Sequence, residues 1–169
     1  MLALFINACK AENKKSDNSE VKSEQKKEIT TKNILKSYFE LQKALADDKN
    51  DLAKKAGENM LAAFSSFDMS KLSHAQHTEY MDIAESSKEH ASHIMESDIT
   101  HQREHFEMLT KDMADLIALL GAEQKVYQVY CPMYKNNQGG TWLSEIDEVD
   151  NPYFGHRMKK CGSVQKTIN

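Results

Sequence analysis

Two short clusters of sulfur-containing side chains lie near the C-terminus of this 169-residue chain: Cys131-Pro132-Met133, and Met158 with Cys161. Residues two apart on an extended chain point to the same side, so Cys131 and Met133 can face one point. Residues three apart share a helix face, so Met158 and Cys161 can do the same. Two thiolates and two thioethers favour a soft ion, so we expect Cu(I), with silver or zinc as the alternatives.

The first nine residues resemble a bacterial lipoprotein signal. An apolar run ends at Ala8-Cys9, and the composition then changes at once to Lys, Glu, Asn and Ser. We predict a lipoprotein-like signal at 1–9, with Cys9 as the lipidated residue. The run is short and lacks the basic segment of an export signal, so an unprocessed N-terminus with a free cysteine is the alternative. Residues 10–32 contain no aromatic residue, Gly or Pro, which predicts a disordered, charged tether.

The cysteines also admit an interpretation without a metal. A lipidated Cys9 leaves only Cys131 and Cys161, and two cysteines in an oxidising compartment can form a disulfide. Such a bridge would contribute about 3–4 kcal/mol, and the methionines of the two clusters would then belong to a small core. The spacing favours neither the bridge nor the metal site.

Histidines form a second group of candidate ligands. Six of the seven occur as pairs three or four residues apart, a spacing that places both imidazoles of a pair on one helix face. The pairs are His74/His77, His90/His93 and His101/His105. They predict either a second copper or zinc site, or one wall of the first, and a solvated polar face is the alternative. His105 and His156 are candidate supplementary ligands of the sulfur site.

Charge and motifs exclude several classes of function. The net charge is −4, and Lys and Glu are interleaved without a basic stripe, so nucleic acid is not an expected partner. The chain has no His-Glu-x-x-His, haem-attachment, phosphate-binding or nucleophile-elbow motif, and only Asp98-x-x-His101 approaches a di-iron signature. We therefore expect a protein that is not an enzyme, and rank a histidine-rich bundle enzyme or haem binder third.

Helical periodicity extends from about Ile34 to Leu120. It is interrupted at 47–50 and 68–73, and Ser97-Asp98 is a candidate internal break. Apolar residues at helical spacing include Leu52, and Gly121 is a candidate C-cap. The pattern predicts a mainly α protein, an up-down bundle of three or four helices at 33–121.

The chain changes character after Gly121. Residues 126–130 alternate and are β-branched or aromatic, 136–140 have turn composition, and 141–143 and 163–168 are candidate strands. We expect residues 122–169 to form a small, irregular subdomain that packs on the bundle and carries the metal site.

Two parts of the sequence together resemble a known family. They are the helical segment 97–106, and the C-terminal run of Tyr130-Cys-Pro-Met, Asn151-Pro-Tyr-Phe-Gly and Met158-Lys-Lys-Cys-Gly. Over residues 33–168 the chain resembles a bacterial helical domain of formally unknown function. That domain occurs alone, in exported or lipidated proteins, and fused to periplasmic adaptor subunits of heavy-metal efflux pumps of the resistance-nodulation-division type.

The resemblance implies copper or related heavy-metal handling in the cell envelope. It carries the family's sulfur positions onto Cys131, Met133, Met158 and Cys161. We thus predict a stand-alone, lipid-anchored copper chaperone or buffer on the periplasmic face, with an efflux-pump adaptor or another envelope metal carrier as candidate partner. The alternative is a non-metal interaction module with a Cys131–Cys161 disulfide.

Overall fold

The computed structural model describes residue 1 and residues 30–168, which form four long helices followed by a small antiparallel sheet. The mainly α fold class is therefore confirmed. Cys9 and residues 10–29 of the predicted tether lie outside the described residues. The helices are α1 (Lys32–Ala46), α2 (Asn50–Ser65), α3 (His74–Glu96) and α4 (Ile99–Leu120).

The bundle is built from consecutive helices that pack on one another, α1 on α2, α2 on α3 and α3 on α4. The candidate break at Ser97-Asp98 is real. The Asp98 carboxylate accepts hydrogen bonds from the N–H groups of Thr100 and His101 at 2.9 and 3.1 Å, which starts α4. The long stretch is therefore a hairpin of two helices. Within the described residues, no helix is long and apolar enough to span a membrane.

Aromatic side chains link the bundle to the sheet. The rings of Tyr38 and Phe106 stack in the core with centroids 5.2 Å apart. The Tyr38 hydroxyl lies 2.8 Å from Thr110 Oγ1 and accepts a hydrogen bond from the N–H of Leu143 at 3.0 Å. This buried hydroxyl therefore joins α1, α4 and the sheet at one point.

The sheet has the strand order β2-β1-β3, with both pairs antiparallel. Its strands are β1 (Val126–Cys131), β2 (Gly140–Ser144) and β3 (Ser163–Ile168). The register places Val129 opposite Trp142 and Cys131 opposite Gly140. β2 contacts α1 and α4, whereas β3 is largely exposed. The sheet thus closes one side of the bundle through β2.

The segment between β2 and β3 is held against the corner that joins α1 to α2. The Arg103 guanidinium donates to the carbonyl of Pro152 at 2.7 Å and to Asp48 Oδ1 at 2.5 Å. Asp48 Oδ2 accepts from the backbone N–H of His156 at 2.9 Å. Gly155 has φ of +55°, and a Cβ there would lie 2.1 Å from Asp48 Oδ1. Only glycine meets both demands, because left-handed backbone and close approach each disfavour a side chain.

Candidate metal centre

The structure brings together the two cysteines of the sulfur clusters. Cys131 ends β1 and is fully buried, while Cys161 is half-buried in the turn before β3. Pairing of Tyr130 with Ser163 in the sheet carries Cys161 alongside Cys131. Both are free thiols, and the side chain of Cys131 lies close enough to raise the pKa of Cys161. Two soft donors 30 positions apart in the chain therefore meet at one end of the sheet.

The surroundings of Cys161 raise the pKa of its thiol. Burial raises the pKa of this thiol, and the hydrogen bond and charge interaction with Cys131 raise it further. The backbone N–H of Met133 opposes this, because its hydrogen bond stabilises the thiolate. A metal ion that binds here would have to displace a proton, since the thiolate is the ligand.

The two methionines of the clusters line one cleft, with a volume of about 570 Å³. Met133 is 48% exposed and Met158 is partly buried. The N–H of Cys161 donates to the carbonyl of Met158 at 2.9 Å, which ties the second methionine to the second cysteine. Neither cysteine is among the residues that line this cleft, so the contact between Met158 and Cys161 is what joins the methionine cleft to the cysteine pair.

Asn151 and Gly162 fix the backbone around Cys161. The buried amide of Asn151 donates to the carbonyl of Cys161 at 2.8 Å. Gly162 has φ of +138°, and a Cβ there would lie 2.9 Å from Trp142 Cη2 and 2.9 Å from the carbonyl of Tyr130. The chain can therefore pass close to β1 only with glycine at this position, which places Cys161 next to Cys131.

The far wall of the cleft is a tight turn with left-handed backbone. Lys135, Asn136 and Asn137 have φ values of 47°, 56° and 69°. The ring of Tyr134 stacks on that of Tyr153 with centroids 4.0 Å apart, which anchors the turn to the core. The stacking of Tyr134 on Tyr153 therefore holds the turn that follows Met133 against the segment between β2 and β3.

The two histidines predicted to supplement the sulfur site have other partners. His156 pairs through Nδ1 with Asp48 Oδ2 at 2.8 Å. Burial alone would raise the pKa of Asp48, but hydrogen bonds from Arg103 and His156 hold it well below its usual range. Among the described residues that line the cleft, neither His105 nor His156 is found. The structure therefore does not group these histidines with the methionines.

His105 lies instead in a cluster of four imidazoles between α3 and α4. His105 Nδ1 is 3.0 Å from His90 Nδ1, and His105 Nε2 is 3.1 Å from His101 Nε2. The ring of His93 stacks on that of His105, with centroids 4.4 Å apart. The residues meet because the break at Ser97-Asp98 folds the two helices into a hairpin. The spacing in the sequence identified the histidine pairs. The signal that two of these pairs would meet was the break between α3 and α4.

The electrostatics of this histidine cluster favour the neutral form of His105. Burial lowers the pKa of His105, and the charges of His93, His101 and His90 lower it further. Glu104 acts in the opposite direction and hydrogen-bonds with its Oε2 to His101 Nδ1 at 2.9 Å. Neutral imidazole is the form that binds metal ions.

Comparison with known protein families identifies the helical part of the chain. The model of a family described as a protein of unknown function, DUF3347, matches residues 34–125. The chain belongs to this family. No curated protein and no solved structure matches it. The matched residues include nearly all of α1 to α4, with the four-histidine cluster, and end before Cys131. Membership therefore covers the bundle, and the sulfur residues lie beyond the match.

Proposed function

We propose that this member of the DUF3347 family binds Cu(I) in the bacterial cell envelope, as a chaperone or buffer linked to heavy-metal efflux. One observation carries the proposal: Cys131 and Cys161 are free thiols whose side chains interact, and Met133 and Met158 of the same two clusters line a single cleft. A pair of thiolates with thioethers nearby is a ligand set for a soft monovalent ion.

The four sulfur residues would have different roles. Cys131 and Cys161 would supply negative charge and most of the affinity. Met133 and Met158 would complete the coordination without losing a proton, because a thioether is always competent to bind. Met133 is 48% exposed and Cys131 is fully buried, so we expect an incoming ion to meet Met133 first. Exchange with a partner's ligands would occur on that side.

Anaerobic titration with Cu(I), in competition with a calibrated chelator, tests the proposal. The full chain carries Cys9→Ser, so that only the two clustered thiols respond. We expect one tightly bound ion per chain, and loss of that binding in Cys131→Ser/Cys161→Ser. Binding no tighter than about micromolar, unchanged by the two substitutions, would overturn the copper proposal.

The methionines allow a matched control. Met133→Leu/Met158→Leu removes two thioethers while conserving volume approximately. Met81→Leu/Met108→Leu removes two others, which are 45% and 43% exposed on α3 and α4. The first variant is expected to weaken Cu(I) binding and the second to leave it unchanged. Equal effects of the two pairs would remove the methionines from the proposed site.

A second candidate function uses the same contact differently. Two thiols this close can oxidise to a disulfide, and the chain would then be a stapled interaction module without a metal. Alkylation of the protein, taken from the envelope under acid quench, separates the two possibilities. Quantitative alkylation of Cys131 and Cys161 would favour the copper site. Resistance until reduction, together with no Cu(I) binding by the reduced protein, would favour the staple.

The envelope location depends on Cys9 and the resemblance of residues 1–9 to a lipoprotein signal. We expect a diacylglyceryl-modified Cys9 at the mature N-terminus, with the tether placing the bundle away from the membrane. Mass spectrometry of the N-terminal peptide from membrane fractions tests this. Recovery of an unmodified peptide beginning at Met1, with the protein in the soluble fraction, would contradict it.

A further inference from the structure

We infer that His93, His101 and His105 form a second metal site, which takes a divalent ion of borderline softness, Zn²⁺ or Cu²⁺. The site would be chemically distinct from the sulfur site and does not depend on it. His90 and Glu104 would act as positioning residues, because each hydrogen-bonds to one of the ligands.

The ring nitrogens have the spacing that such an ion needs. One ring nitrogen from each of the three histidines lies within 4.8 Å of the others. Among the described residues, this is the group of three His, Cys, Asp or Glu side chains whose ligand atoms meet that limit. In a tetrahedral zinc site with Zn–N bonds of about 2.0–2.1 Å, ligand nitrogens are about 3.3–3.4 Å apart. His101 Nε2 and His105 Nε2 are 3.1 Å apart, so a small outward movement admits the ion.

Hydrogen bonds outside the cluster determine which nitrogen is free. An ionised Glu104 can only accept, so His101 must donate from Nδ1 and carries its lone pair on Nε2. That lone pair faces His105 Nε2, and a proton or a cation must lie between the two nitrogens.

A change of tautomer can move the proton of His105 from Nε2 to Nδ1. Its Nδ1 lies 3.0 Å from His90 Nδ1, so the other tautomer of His105 donates there and frees Nε2. His90 then carries its own proton on Nε2, and all rings stay neutral. A divalent ion can therefore replace the bridging proton without net proton release. Partners that fix the tautomer of a ligating histidine are a usual feature of metal sites.

The location also suits an exchangeable ion. His93 and His101 are exposed and His105 is partly buried, so the cluster opens to solvent and leaves a position for water. The ring of His93 lies within 3° of parallel to that of His105, and ligation requires it to turn out of this stack. Three neutral imidazoles suit Zn²⁺ and Cu²⁺ better than hard cations, which prefer oxygen, or Cu(I), which prefers sulfur.

Titration of the reduced full chain with Zn²⁺ and with Co²⁺ tests the site. The key variant is His101→Gln/His105→Gln, and the matched control is His74→Gln/His77→Gln, an exposed pair at the start of α3. The Co²⁺ spectrum distinguishes the ligands, because sulfur ligands add charge-transfer absorption that nitrogen ligands lack.

We expect a site with visible Co²⁺ bands but no sulfur charge transfer. His101→Gln/His105→Gln should weaken Zn²⁺ binding there by more than the roughly 10–100-fold that loss of a positioning partner costs. The control pair should leave it unchanged. His93→Gln, a single change at an exposed position, gives the same test if the double variant fails to fold by circular dichroism.

Either of two results would overturn the inference. One is an equal loss of affinity in the variant and control pairs, which would indicate unspecific binding to surface histidines. The other is Co²⁺ binding with sulfur charge transfer only. Neither bears on Cu(I) binding by the cysteines, so this inference and the copper proposal fail separately. Cu²⁺ is expected to displace Zn²⁺ from the site, following the general order of affinities.

Discussion

The sulfur end of the sheet and the histidine hairpin of the bundle are built in opposite ways. Cys131 and Cys161 come from different elements and meet only because the sheet, Gly162 and Asn151 fold one segment onto another. The four histidines come from two consecutive helices joined by two residues. One arrangement thus depends on tertiary structure, and the other on a local hairpin.

The two regions also differ in ligand type and accessibility. The sulfur residues run from a fully buried cysteine to a half-exposed methionine, and one thiol holds its proton tightly. The histidine cluster opens to solvent, and its central ring is kept neutral by burial and by its neighbours. Softness of ligands and ease of exchange therefore separate the two candidate sites. Glu104 belongs to both regions, because it lines the cleft and hydrogen-bonds to His101.

Crossed substitutions should give the largest effects. Cys131→Ser/Cys161→Ser is expected to abolish tight Cu(I) binding and retain Zn²⁺ at the histidines, and His101→Gln/His105→Gln is expected to do the reverse. The reason is that each pair supplies the donors of one chemical type. Parallel Cu(I) and Zn²⁺ titrations of both variants measure this. Loss of both ions in one variant, with its fold intact, would mean that the regions form a single site.

Gly155→Ala should lower the stability of the protein and weaken the sulfur site, while leaving the histidine cluster unchanged. A non-glycine residue in left-handed backbone costs about 1–2 kcal/mol, and the new methyl group also displaces Asp48 from Arg103. We expect a lower free energy of unfolding in urea and weaker Cu(I) binding, because the segment before β3 carries Met158 and Cys161. Zn²⁺ affinity at the hairpin should not change. Gly121→Ala, which has no atom within 4 Å of the added Cβ, controls for backbone strain alone.

Glu104→Gln tests whether the shared residue serves one region or both. Glutamine can donate as well as accept, so it no longer fixes the tautomer of His101. We expect Zn²⁺ affinity at the histidine cluster to fall about 10–100-fold, as for other partners of metal-ligating histidines. Cu(I) affinity should stay the same, and calorimetry with each ion measures the difference. A comparable loss of Cu(I) affinity would show that Glu104 supports the sulfur site as well.

The sequence predicted elements with strong local patterns well. Residues with helical period in α1, such as Tyr38 and Leu45, are buried, and Asp98 caps α4 as its side chain allows. Leu52 fits the same period in α2 but is 61% exposed and lines an open groove beside Lys43 and Asp47, because periodicity identifies a helix face and not how completely that face is covered. The three strands form at or next to the segments that the sequence offered as candidates, of which only 126–130 was predicted from alternation.

The candidate sites were less predictable, and for a physical reason. The residue types suggested that Cys131 and Cys161 could meet. Their meeting follows from the pairing of β1 with β3, which the sequence did not predict. The grouping of His105 with the methionines was not found, because α4 turns His105 toward α3 while Glu104 lines the cleft. The roles of His90 and Glu104 depend on ring orientation, which sequence does not encode locally.

Asp112→Asn should give the smallest effect, and it concerns the hairpin alone. Burial raises the pKa of Asp112, against hydrogen bonds from Ser86 and Ser87 on α3. A carboxyl whose pKa is higher in the folded than in the unfolded state destabilises the fold where it is ionised, and the cost fades as pH falls through the raised pKa.

Asparagine keeps an oxygen that accepts from Ser86 and carries no charge. We therefore expect Asp112→Asn to raise the free energy of unfolding at neutral pH by no more than about 0.5 kcal/mol, the usual range for partly exposed positions. The gain should fade as the pH falls through the raised pKa of Asp112 toward the unfolded-state value of about 3.9, because both proteins become neutral at this site. Urea unfolding at several pH values measures it, with Asp115→Asn, also on α4, as the control. A gain that persists in acid would mean that packing, and not charge, distinguishes the two side chains.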